Sequence, residues 1–345
     1  LIAPGDASDL GVDVIASGFF GVTLFHIKET QPDLFERVAH ALLPTDYVRR
    51  RLLGGGEWAT DPTNAFSAGL FNVREGRWHE RAIQQLGLPV SIFPAVRPTE
   101  EVAGALSASA AGEIGLPAGV PVIYGGGDNQ MSMIGSGAFA PDSPILLNLG
   151  TSGQFCAVIA DYRKIDGLDT RSFPRGQFAL VGAGLTGGVA YTWLRNTLAE
   201  DVQALGADLN VEDLYAKLDA LAANASPGCD GLRFDPYLRG TRREPDVRAA
   251  FHGVSTSNFT IGNRALAVME GVINELFDFY KLSGVTGAES MIGSGNGFVK
   301  SKPWRRVAAQ IFELPLKVLD IESAVYGATL VAAEGLNLAT LEDSL

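Results

Sequence analysis

The sequence predicts an α/β protein, and three observations carry that expectation. Four short apolar runs, at 121–124, 145–149, 178–181 and 290–292, each end in a glycine-rich turn. Segments with helical apolar spacing lie between and after them, and strands alternating with helices imply a sheet with helices packed on it. Glycine is also in excess, at 41 of 345 residues, about 12% against a usual ~7%.

Composition bounds the rest. At roughly 150 residues per domain, 345 residues and 36.5 kDa suggest two domains. A hydrophobic fraction of 46% with 19% charged residues excludes a disordered chain. Twenty-seven Lys and Arg against 39 Asp and Glu give a net charge of −12, which argues against a nucleic-acid partner. It does not argue against one phosphate held by backbone dipoles. The two cysteines, Cys156 and Cys229, are far apart and point to a reducing, cytoplasmic setting. There is no signal-peptide pattern and no apolar window of about 18 residues, so no membrane partner is expected. Residues 1–18 read as loop or strand edge rather than as a domain start, which suggests a piece of a longer chain.

Taken in order, residues 21–52 read as helical, with Pro32 and Asp33 at a helix start and Leu34, Val38, Ala41 and Leu42 at helical spacing. A second helix over 45–53 is stopped by Gly54, Gly55 and Gly56. Further helices are expected over 77–87, ended by Gly87, and over the Ala-rich 99–115. Then come a strand at 121–124, a helix at 131–138, strands at 145–149 and 178–181, and a helix from Gly187 and Gly188 through Trp193. Helices at 211–223 and 262–282, a strand at 290–292, a helix at 302–312, a strand at 316–319 and a helix at 322–335 complete the chain. The boundary falls near Pro141 to Pro144, giving domains 1–140 and 141–345.

The turns carry the chemistry. Glycine after a strand lets the backbone approach a ligand, and amides at a following helix N-terminus favour phosphate. Thr151, Ser152 and Asn296 add hydroxyls and an amide to two of these turns. None is a Walker A sequence, because no Gly-Lys-Ser/Thr follows at the required spacing, and none is a good dinucleotide fingerprint. Asp128 follows Gly125, Gly126 and Gly127 directly after a strand. It could take a proton from a substrate hydroxyl, or it could cap the next helix, and the two roles are compatible. The histidines His26, His40, His79 and His252 are scattered, so a zinc site is not expected. Arg49, Arg50 and Arg51 read as a solvated helix face.

In this order and spacing the motifs resemble the FGGY carbohydrate kinases. The segments are Phe25 to Pro32 with Leu43 to Tyr47, Thr60-Asp-Pro-Thr-Asn-Ala65, Gly126-Gly-Asp-Asn129 and Leu149-Gly-Thr-Ser152. Pro236-Tyr-Leu-x-Gly240-x-Arg242, Gly293-Ser-Gly295 before Trp304, and Gly327-Ala328 complete the match. The resemblance implies two actin-like, ribonuclease-H-like domains with ATP and sugar in an interdomain cleft. It implies Asp128 as general base on the sugar, with Asn129 beside it as a substrate contact. Gly150, Thr151, Ser152, Gly187 and Gly188 would lie near the ATP phosphates, and Gly293, Gly295 and Asn296 near the adenosine. ATP and Mg2+ are the implied cofactors, and no residue is assigned to the metal. A small sugar and ATP are the partners, with a homodimer also allowed. The family's N-terminal Asp-x-Gly-Thr-Thr/Ser hairpin, which binds phosphate and helps place magnesium, has no counterpart here, so an incomplete first domain is expected. Gly127-Asp-Asn-Gln130 and Gly240-Thr-Arg-Arg-Glu-Pro245 lean toward the sedoheptulokinase-like branch over the xylulokinases.

Two other functions compete. A non-catalytic nucleotide or sugar-binding remnant would keep the architecture and lose the chemistry. A hydrolase using Ser152 in the Gly150–Gly153 turn would need a partner histidine.

Overall fold

In the computed structural model the described residues are 9–15, 17–207, 210, 213–319 and 321–341. Expectations for residues 1–8, 16 and 211–212 lie outside them. The chain divides into two units. The first takes residues up to Ser143 with Val158–Leu180 and the segment from Ile321 onward; the second takes Pro144–Ala157 and Val181–Asp320.

The first unit is mostly helical, with short strand pairs. Its core includes Leu24, Leu70, Ile83 and Ile92, with a neighbouring cluster around Leu10, Phe66, Phe71 and Val73. The long helix expected over 21–52 is three helices: Phe20–Thr30, Pro32–Phe35 and Pro44–Leu53. The break has a physical cause. Pro44 forces the preceding residue out of the helical region, and Leu43 is extended, with φ −77° and ψ 156°. Between them Ala41 donates its amide to the Ile92 carbonyl at 2.9 Å, so tertiary pairing replaces the helical bond. Pro44–Leu53 then ends at Gly54, which sits at φ 70° as the expected stop requires.

Two more expectations are corrected. The segment 77–87 opens as the strand Arg77–Trp78, and its helix is only Glu80–Gln85, capped by the His79 ring, which accepts from the Ala82 amide at 3.2 Å. The Ala-rich 99–115 holds a strand before its helix. Val102–Ala105 pairs antiparallel with Pro121–Ile123, and the helix Ala108–Ile114 begins only after Ser107 caps it.

Two helices of the first unit fix the position of Asp128. We label them α1 (Asp128–Gly135) and, from the far end of the chain, α7 (Ser323–Gly335). They meet through glycine. A Cβ on Gly327 would clash with the Met131 carbonyl, and one on Gly135 would lie 2.6 Å from the Gly327 amide nitrogen. Backbone lies against backbone here, so neither neighbour can turn aside. Gly327→Ala gains about 1 kcal/mol of helix propensity, but overpacking of this kind costs typically ~1–3 kcal/mol or more. The clash should win, and urea unfolding of Gly327→Ala should show a lower midpoint at unchanged slope. A midpoint equal to or above wild type would show that the helices separate freely.

The six-stranded sheet has strands β1 (Ile145–Leu149), β2 (Gly153–Ile159), β3 (Asp169–Ser172), β4 (Phe178–Gly184), β5 (Met291–Ser294) and β6 (Leu316–Val318). Their order is β6-β5-β1-β2-β4-β3. β5 runs parallel to both β1 and β6, whereas β1 and β2 form an antiparallel pair with Leu147 opposite Phe155. β2 and β3 were not anticipated. The Gly150–Gly153 turn is therefore the tip of a β-hairpin.

In the second unit four long helices pack around a core of Leu147, Leu194, Leu218, Ile273 and Trp304. They are α2 (Gly188–Ala204), α3 (Leu214–Asn224), α4 (Ile261–Ser283) and α6 (Lys302–Phe312), with the short α5 (Asn296–Lys300) between the last two. Helix α4 starts where Thr260 Oγ1 accepts from the Asn263 amide at 3.2 Å and stops at Gly284, with φ 63°.

Candidate functional site

The site residues fall into two groups, one in each unit. In the first unit the strand Pro121–Ile123 runs through Gly125, Gly126 and Gly127 into α1. Gly127 is the N-cap and Asp128 the first helical residue, so Asp128 is not the cap. Its carboxylate is exposed and accepts from the Asn129 amide at 2.7 Å. A carboxylate at the first turn of a helix is favoured by the helix dipole. Exposure leaves it open to a substrate.

The turn beneath Asp128 is held on both sides. Tyr124 and Gly125 donate their amides to the Glu101 and Thr99 carbonyls, at 3.0 and 2.9 Å. Gly127 donates its amide to Thr63 Oγ1 at 2.7 Å. Gln130, buried, donates from Nε2 to the Ser172 carbonyl at 3.0 Å. Arg49 reaches the same turn. It is buried, not part of a solvated face, and donates to the Tyr124 carbonyl at 3.0 Å, to Asp46 at 2.9 Å and to the Ala59 carbonyl. The spacing of a helix face marks Arg49, Arg50 and Arg51 alike, and only Arg49 turns inward.

In the second unit the structure brings together Gly150, Thr151, Ser152, Gly187, Gly188 and Gly295. A Cβ on Gly187 would lie 2.5 Å from the Gly153 amide nitrogen, and one on Gly188 2.7 Å from the Gly150 carbonyl. A Cβ on Gly295, at φ 86°, would meet the Leu149 carbonyl at 2.6 Å. Only glycine allows these three turns to nest at the ends of β1, β4 and β5. Thr151 and Ser152 are exposed at the hairpin tip, and Asn296 is exposed at the start of α5. Gly293 is different. It lies buried inside β5, opposite Leu147, with Phe298 and Leu316 against it.

One detail alters the electrostatics. The amides of Gly187, Gly188 and Val189 donate to the Thr151, Gly150 and Thr151 carbonyls, at 3.0, 2.8 and 3.3 Å. The start of α2 spends these amides inside the protein. What the nest presents outward is the hairpin tip, Thr151 and Ser152.

Beside β4 lies a polar cavity of about 160 Å³, lined by Arg233, Tyr237, Asn274, Glu275 and Asp278 among others. Glu275 Oε2 is buried and has no hydrogen-bond partner among the described residues. Burial, helped by the charge of Asp278, pushes the Glu275 carboxyl from 4.5 up to about 7. Between those values the folded chain keeps a proton that the unfolded chain has lost. Its contribution to stability is whole below pH 4.5 and is lost as pH rises to about 7. Glu275→Gln should therefore match wild type at pH 4.5 and be more stable at pH 8, by up to about 1–3 kcal/mol. Urea titrations at both pH values check this, and two chains that track each other would refute it.

Among the described residues no group of three or more His, Cys, Asp or Glu is placed to hold a metal ion, and no helix is long and apolar enough to cross a membrane. Both cysteines are buried thiols.

A mixed sheet with glycine turns nested at its strand ends, and an exposed aspartate on a braced turn elsewhere in the chain, define an α/β protein of the ligand-handling kind. Comparison with known proteins narrows this. The models of the FGGY family of carbohydrate kinases match over residues 9–135 for the N-terminal domain and 145–336 for the C-terminal domain. The chain belongs to the FGGY family of carbohydrate kinases. It is 30% identical over 338 residues to a xylulose kinase of Staphylococcus epidermidis, covering 95% of this chain and 64% of that protein. A gluconokinase of Bacillus subtilis is 28% identical, covering 83% and 56%. Among solved structures, xylulose kinase from Rhodospirillum rubrum superposes with a TM-score of 0.86 at 27% identity, covering 98% of this chain and 67% of that one. The chain thus spans 64% and 56% of the length of these two curated relatives.

Proposed function

We propose that the chain carries the sugar-side and nucleotide-side residues of an ATP-dependent carbohydrate kinase. The acceptor is a hydroxyl of a ketose such as xylulose or sedoheptulose. The observation that carries the reading is the exposed Asp128 on a turn anchored at Thr63, Thr99 and Glu101. Asp128 takes the proton of the attacking hydroxyl as the sugar oxygen bonds to the γ-phosphorus and the bond to ADP breaks. Asn129 contacts the sugar. Gly150, Thr151, Ser152, Gly187 and Gly188 form the phosphate turn, with Thr151 and Ser152 making the contacts. Gly295 and Asn296 face the adenosine side, while Gly293 shapes the strand that carries them. Magnesium reaches a kinase largely on the nucleotide phosphates and supplies charge neutralisation there.

Xylulose kinases and a gluconokinase among the relatives make a mixed sugar panel the right test. The chain is incubated with radiolabelled ATP, Mg2+ and xylulose, sedoheptulose, gluconate or fuculose. Label appears on a ketose, with ADP in equal amount. Label on gluconate alone overturns the ketose class, and label on none of the four overturns the activity.

A second reading, binding without turnover, draws on the internally spent amides of Gly187, Gly188 and Val189. Calorimetric binding of ATP in a chain that transfers no phosphate would favour it.

A further inference from the structure

We propose that Thr63 is a positioning residue for Asp128, acting through a directed hydrogen-bond chain from Gly127 to Asp61. The proposal rests on the reading of Asp128 as general base.

The chain starts at a buried anchor. Asp61 is fully buried and caps the short helix Pro62–Ala65. It receives only donors. Its Oδ1 accepts from the Thr63 amide at 2.9 Å, the Asn64 amide at 3.3 Å and the Thr63 hydroxyl, and its Oδ2 accepts from Asn64 Nδ2 at 2.6 Å. A carboxyl so surrounded is held in one orientation; burial raises it, against the pull of the Thr63 and Asn64 donors.

Thr63 passes that order on. A hydroxyl has one proton and two lone pairs. The Thr63 proton is committed to Asp61, so the side toward the glycine turn can only accept. It accepts the Gly127 amide at 2.7 Å, sixty-four residues away in sequence. Steric contact adds to this. A Cβ on Gly126 would lie 3.0 Å from Thr63 Oγ1, 3.0 Å from Thr99 Cγ2 and 2.7 Å from Met131 Cε. A side chain at Gly126 would meet Met131, Thr63 and Thr99 together. Gly127 is the residue before Asp128, so its backbone sets where the carboxylate stands. Linked buried hydrogen bonds reinforce one another in a low-dielectric interior, which makes this tether stiffer than a lone surface bond.

Thr63→Val keeps the shape and deletes the hydroxyl, while Thr63→Ser keeps the hydroxyl. A reacting group displaced by about 1 Å loses up to ~10²-fold in rate. Thr63→Val should therefore lower kcat on the ketose by about 10–100-fold, with KM for ATP within about two-fold, and Thr63→Ser should restore most of the loss. Amide exchange measured by mass spectrometry gives a readout independent of turnover. The peptide spanning 124–131 should exchange faster in Thr63→Val and at the wild-type rate in Thr63→Ser. Thr63→Cys, a weaker acceptor of similar size, should give an intermediate exchange rate and serves where Thr63→Val yields no folded protein. Unchanged exchange and kcat in Thr63→Val, with Asp128→Asn inactive, overturn the proposal alone. A fall in kcat that Thr63→Ser shares equally also overturns it. Full turnover in Asp128→Asn overturns the base reading, and the positioning role with it.

Discussion

Asp128→Asn should lower phosphoryl transfer to the sugar by about 10²–10⁴-fold, the usual cost of losing a general base. Asparagine has nearly the same shape and can still accept from the Asn129 amide through its carbonyl, as Asp128 does at 2.7 Å. The turn below it is set by Thr63, Thr99 and Glu101 and not by the carboxylate itself. Folding and ATP affinity should therefore stay near wild type, and the loss should fall on kcat. Steady-state kinetics with calorimetry for ATP separate these effects. A variant that loses ATP binding and unfolds would show that Asp128 is structural. One with undiminished kcat would remove it from the chemistry.

Arg49→Met should destabilise the first unit by about 3–5 kcal/mol, because it breaks a buried ion pair and leaves one partner behind. The side chains of Arg49 and Asp46 are 6% and 1% exposed and lie 2.9 Å apart. Asp46 already has its carboxyl raised by burial, against the downward pull of Arg49. Without the guanidinium that pull is gone, and the carboxyl rises further. A raised folded-state carboxyl loses stability as pH increases, so Arg49→Met should be weakest above neutral pH and should partly recover toward acid. The carbonyls of Ala59 and Tyr124 also lose a donor. Urea unfolding at two pH values measures both effects. Adding Asp46→Asn should return part of the loss, since the two residues touch and their effects are not additive. A single variant within about 1 kcal/mol of wild type, the scale of an exposed pair, would mean that solvent reaches the bond.

Much of the second unit was legible because its signals are local. The strand Ile145–Leu149 and the helix Lys302–Phe312 stand where their apolar spacing puts them, and Ile261–Ser283 lies within a residue of its expected ends. The glycine turns were visible as composition, and their nesting follows from what a side chain would strike. Gly153–Ile159 was missed although its run from Phe155 to Ile159 is wholly apolar. A buried strand and a buried helix segment look alike over so few residues. Val102–Ala105 was hidden by alanine and glycine, which favour no strand by themselves; its pairing with Pro121–Ile123 is what makes it one. The bracing of Asp128 could not be read at all from sequence spacing. Thr63 and Arg49 lie 64 and 75 residues from the backbone atoms they hold. Thr60 to Ala65 carried a family resemblance, but nothing in that stretch shows which partner its hydroxyl serves.

The general-base role of Asp128 in phosphoryl transfer to a sugar is tested most directly on phosphorus. Phosphorus NMR of the chain with ATP, Mg2+ and a ketose should show a sugar phosphomonoester growing as the γ-phosphate of ATP disappears, with ADP in equal amount. In Asp128→Asn that resonance should be absent over the same time. ADP with inorganic phosphate and no monoester, or equal growth in both proteins, would contradict it.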